Sequence, residues 1–86
     1  MAAVGFIERA TAVRWAVRRL IRSGACTERG AAARCAISQP HMHHWLACRR
    51  SLSMARLDQV IVCLRLDLAA VEAEWVEDGG RDAAGA

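Results

Sequence analysis

The 86-residue chain has no lysine, and all twelve of its basic residues are arginine. Arginine presents a planar fork of donors that meets phosphate and guanine bidentately, which the point charge of lysine does not. A GC-rich coding preference for Arg and Ala would leave the same mark, so this absence counts only beside other signs. No run of 18 uncharged apolar residues occurs, which excludes an ordinary membrane-spanning helix and leaves no membrane role expected. Glu8 and Arg9 interrupt the start too early for a secretory leader. A cytoplasmic protein is therefore expected, with its four cysteines reduced. Strand-like alternation, internal repeats and linkers are all missing.

The spacing of a metal site is missing too. His41, His43 and His44 lie near Cys35 and Cys48, but no C-x2-4-C pair exists. His43 and His44 are adjacent, so on a helix they point about 100° apart. Cys26, Cys35 and Cys63 read as small core residues and Cys48 as a turn residue. Nothing places a base and an orienting group beside a nucleophile. The reading is a non-enzyme with no cofactor and no metal.

What is present is an uneven charge distribution. Residues 1–56 carry ten arginines against Glu8 and Glu28, a net +8. Residues 57–86 carry Arg65 and Arg81 against seven acids, a net −5. The overall +3 hides this split, and a basic region of this kind suggests a polyanion partner.

Helical periodicity dominates. A first helix is predicted over about residues 4–23, with Phe6, Ala10, Val13, Val17, Leu20 and Ile21 on one face. Arg14, Arg18 and Arg22 form a second stripe, and Trp15 falls off the apolar one, toward the tail or another chain. Ser23-Gly24 ends the helix, with Gly24 suited to a left-handed cap. Thr27 caps a short helix over 28–35 with Ala31, Ala32 and Cys35 inward; Gly30 weakens it by about 1 kcal/mol. Ser38 caps a third helix over 39–47, where Pro40 fits the first turn and Met42, Trp45 and Leu46 face inward. Ser53 caps a fourth over 54–64, with Leu57, Val60, Ile61 and Leu64 as its stripe. Asp67 caps a fifth over 68–77, using Leu68, Val71 and Trp75. Residues 1–77 form one domain, and the Gly-, Asp- and Ala-rich stretch 78–86 reads as a mobile tail.

The ordered set Ile37-Ser38-Gln39-Pro40, Trp45-Leu46, Arg50 and Leu52-Ser53 resembles the phage-repressor (Cro/C1, XRE-type) helix-turn-helix family. Leu64-Arg65-Leu66-Asp67-Leu68 is similar to that family's link into its last helix. Ala32 matches the small residue where the second and third helices cross. The resemblance covers roughly residues 13–72 and implies an all-α, compact five-helix, lambda-repressor-like helix-turn-helix domain. It implies a transcriptional regulator, a repressor by family habit, that reads double-stranded DNA in the major groove as a homodimer. Gln39, Pro40, His43 and His44 would then face base edges, and Thr27, Ser38, His41, Arg49 and Arg50 the phosphate backbone. The chemistry agrees: Gln pairs bidentately with adenine, His donates or accepts, and Arg in a turn attracts phosphate regardless of sequence.

The chain departs from the family at four positions. Ala36 and Cys48 stand where it has turn glycines, at roughly 1 kcal/mol each if the turns stay left-handed. Glu28 replaces a Gln at the start of the second helix, and an acid there repels phosphate. Ala31 replaces a Leu. These departures and the acidic fifth helix support an alternative: a protein-interaction module, or a small phage-type inhibitor or antitoxin that keeps the fold. Helix 68–77 is the expected dimer or partner surface.

Overall fold

The polar starts and apolar spacings produce five α-helices in a computed structural model, which describes residues 5–80. They are α1 (Phe6–Arg22), α2 (Glu28–Arg34), α3 (Gln39–Leu46), α4 (Met54–Cys63) and α5 (Leu68–Glu77). Among the described residues there is no strand. The all-α expectation is met, with each helix within two residues of its predicted ends. The expected inward place of Phe6 and the last six residues of the tail lie outside the described set.

Local chemistry explains the starts of α2 to α5 and all five helix ends. The Thr27 hydroxyl accepts from the Gly30 amide, Ser38 from His41, Ser53 from Arg56 and the Asp67 carboxylate from Ala70. Each cap satisfies an amide that has no partner inside its helix. The ends share one device. At all five, the second residue beyond the cap donates its amide back five positions: Ala25 to Leu20, Ile37 to Ala32, Arg49 to His44, Leu66 to Ile61 and Gly80 to Trp75, at 2.8–3.0 Å. This Schellman closure needs a left-handed residue just past the cap. Gly24 and Gly79 supply it at φ +85° and +101°, but Ala36, Cys48 and Arg65 supply it at +53°, +61° and +54°. The two turns without glycine therefore keep left-handed geometry, and Arg65 adds a third side chain in that region.

The core has two parts. The larger joins Val13 and Val17 of α1 to Ala31, Ala32, Cys35, Ile37, Met42, Trp45, Leu46, Leu52, Leu57 and Val60. Trp45 and Met42 are its largest fully enclosed side chains. The smaller packs Ala12, Trp15 and Ala16 of α1 against Val71 and Trp75 of α5. Trp15 thus leaves the main stripe because α1 has two apolar faces, one for each cluster. Ile61, Leu64 and Leu68, expected in the core, pack against it half-buried.

Charged contacts stitch α5 to α1. Arg9 Nε donates to Glu72 at 3.0 Å, and Arg19 to Glu74 at 3.1 Å, with the Arg19 guanidinium 4.6 Å from the Trp15 ring. Trp15 Nε1 donates to Asp78 at 3.3 Å. The first residues of the predicted tail are thereby tied down: Asp78 caps α5 and Gly80 closes it.

Candidate nucleic-acid interface

The residues 35–38 turn the chain from α2 into α3, and the two helices pack together. Three anchors fix that turn from behind. Ile37 is buried, Arg56 donates to the Ala36 carbonyl at 3.3 Å, and the Gln59 amide donates to the Cys35 carbonyl. The far end of α3 is held by Arg18 of α1, which donates to the Leu46 carbonyl. Met42, Trp45 and Leu46 pin the inner face of α3 in the core.

Pinning those three residues decides what α3 shows outward. Gln39, Pro40 and His43 are exposed, and His41 and His44 are half-buried. Ser38 and Thr27 are exposed just outside α3 and α2. Each hydroxyl spends a lone pair on its cap and keeps an O–H that can donate outward. Arg49 and Arg50 are exposed in the turn after α3, their amides both directed to the His44 carbonyl at 2.8 and 3.2 Å. The structure therefore brings Ser38, Gln39, Pro40, His41, His43 and His44 together on one short helix and its cap. Thr27 sits at the start of the neighbouring helix, and Arg49 and Arg50 follow the far end.

His43 has a partner that the sequence did not reveal. Its Nδ1 lies 3.0 Å from Glu28 Oε1, at the first turn of α2. Fifteen residues separate the pair in sequence, and only the packing of α2 on α3 brings them together. The rings of His43 and His44 are 5.9 Å apart and tilted. The anchors Arg18, Arg56 and Gln59 were also missed as site-building residues. Only the Arg14/Arg18/Arg22 spacing hinted at one of them.

Charge around this surface is lopsided. Arg29, Arg34, Arg49 and Arg50 are exposed and have no acidic partner among the described residues, while Glu28 is the one carboxylate between residues 9 and 57. By contrast, two α1 arginines are matched by α5 acids. The acidic half thus offsets charge on α1, away from α3.

Among the described residues no group of three or more His, Cys, Asp or Glu side chains is placed to hold a metal ion. None of the four cysteines is in a disulfide. Cys35 is fully enclosed, and burial pushes its thiol up from 9.0 to about 11, reinforced by Cys63 and Cys26 and opposed by Arg34. No described helix is long and apolar enough to cross a membrane. No family model, no characterised protein and no solved structure matches the chain.

Proposed function

We propose that the chain is a sequence-specific DNA-binding regulator, with α2 and α3 as a helix-turn-helix of the phage-repressor kind. In this reading α3 enters the major groove. The observation that carries it is the division of α3: Met42, Trp45 and Leu46 are locked inside, and Gln39, Pro40 and His43 project outward beside Arg49 and Arg50. A rigid, buried back and a polar front are what base reading requires of a helix. Gln39 reads adenine, His44 contributes a second base contact, and the arginines supply sequence-blind attraction.

Two copies would read half-sites about one helical turn apart. The face of α5 bearing Val71 and Trp75 is covered by α1. The dimer surface is therefore its opposite stripe, Ala69, Ala73 and Val76, where Val76 is 59% exposed. Small residues at spacings of four and three let two such helices approach closely.

Selection from random duplexes, with affinity measured at two salt concentrations, tests this reading. Gln39→Ala is expected to relax base preference. Arg50→Ala should weaken binding to every duplex and reduce the salt slope by about one. Equal loss on all sequences from the Gln39 change would contradict base reading by α3. A stoichiometric protein partner captured without nuclease sensitivity, with no duplex selected, would favour the interaction-module alternative.

A further inference from the structure

The contact between Glu28 and His43 has a consequence for the outward edge of α3. A histidine's free nitrogen is defined by the bond its other nitrogen makes. An ionised carboxylate can only accept, so a 3.0 Å contact between Glu28 Oε1 and His43 Nδ1 requires the ring proton on Nδ1. Nε2 of the neutral ring is then a lone-pair acceptor. The His43 side chain is 57% exposed, which leaves that nitrogen accessible.

We propose, building on the DNA-binding reading, that Glu28 fixes the tautomer of His43 so that Nε2 selects its base pair as an acceptor when neutral and as a donor when protonated. An acceptor in the major groove matches the amino groups of adenine and cytosine. One proton taken from solvent onto Nε2 turns the same atom into a donor, matching guanine O6 and N7, thymine O4, adenine N7 or a phosphate oxygen and no longer cytosine. The ring does not move, because Nδ1 stays on Glu28 in both states. The preference at one position of the site therefore follows the protonation state of this ring.

The surroundings define what else responds. The guanidinium cations of Arg18 and Arg22 of α1 border the same depression as Glu28. His44 lies 5.9 Å from His43, and His41 is a third imidazole on the first turn of α3. Their protonation adds attraction to any duplex, so a general gain in affinity at low pH does not identify His43. A change in which base is preferred, dependent on Glu28, does.

Two measurements test this on the whole chain. Nitrogen-15 spectra of the histidine rings, recorded at about pH 8 without DNA, should show His43 protonated on Nδ1. Glu28→Ala should release that restriction. A wild-type ring protonated on Nε2 would overturn the proposal. Duplex selection at about pH 8 and about pH 5.5 should then differ at one position, from C toward G or T, by about tenfold. Glu28→Ala should remove most of that difference while retaining duplex binding. The same preferred sequence at both values, with binding intact, would overturn the switch and leave DNA binding standing. Absence of binding to any duplex would overturn the DNA reading and the switch with it, and the ring spectra would still report the tautomer.

Discussion

The two apolar clusters of this chain use different faces of α1 and differ in kind. The larger is built from residues of α1, α2, α3 and α4 and encloses Trp45, Met42 and Leu57 with at most 1% of their surface exposed. The smaller is a seam between α1 and α5, where Trp15 and Trp75 keep 5% and 7% and ion pairs run along the edge. Exposed ion pairs contribute about 0–1 kcal/mol each, so the seam rests mainly on its two indoles. The proposed reading helix is anchored in the first cluster and the proposed dimer helix in the second. The more fully enclosed cluster thus holds the helix whose side chains must be aimed, and the seam carries the element that would meet another copy.

The strongest test of this contrast is to remove one tryptophan from each side. Trp45→Ala empties the centre of the larger cluster at about 3–5 kcal/mol, most of what a domain of this size has. Loss of the cooperative urea transition in far-UV circular dichroism is expected. Trp75→Ala opens the seam toward solvent at about 2–3 kcal/mol. Hydrogen exchange should then show α5 amides opening well ahead of those in α3. Equal protection of both helices in that variant would mean that the clusters form one unit.

Alkaline pH probes the larger cluster alone. The Cys35 thiol is held up at about 11 in the folded chain against an ordinary 9.0. Between these values the unfolded chain has released its proton and the folded chain has not. Folded stability therefore falls as pH rises from about 9 toward 11, and below 9 this thiol contributes no pH dependence. Urea midpoints across that range check it, with Cys35→Ala as the variant in which the slope shrinks.

The smallest effect lies in the turns. Ala36 is exposed and left-handed, so Ala36→Gly removes backbone strain without losing packing and should add up to about 1 kcal/mol. A thermal midpoint unchanged or lowered would show that the freedom gained by the unfolded chain outweighs the strain.

Most of this architecture was legible because its signals are local. Thr27, Ser38, Ser53 and Asp67 announce helix starts by side-chain chemistry acting over three residues, and all four act as caps. The inner faces of α2 and α3 followed from spacing alone. Other features escaped because they depend on what lies opposite in space. Trp15 could not be placed until α5 was seen to cover a second face of α1. Glu28 looked like a lone acid at a helix start, and only α3 packing beside it supplies His43. Arg65 gave no warning of its left-handed backbone, because no glycine marks the end of α4. The outward set on α3 was anticipated as a group, yet the partner of its most exposed histidine was not.

The Arg9–Glu72 and Trp15–Asp78 contacts each span 63 positions, nearly the length of the described chain. Loops this long close slowly relative to neighbouring helices, because chain entropy must be surrendered before any contact compensates it. During synthesis α5 also leaves the ribosome after the other four helices. A nascent chain can therefore complete the α1–α4 body and expose its outward histidines while Trp15 is still uncovered, which would leave α5 to dock onto a partner already formed.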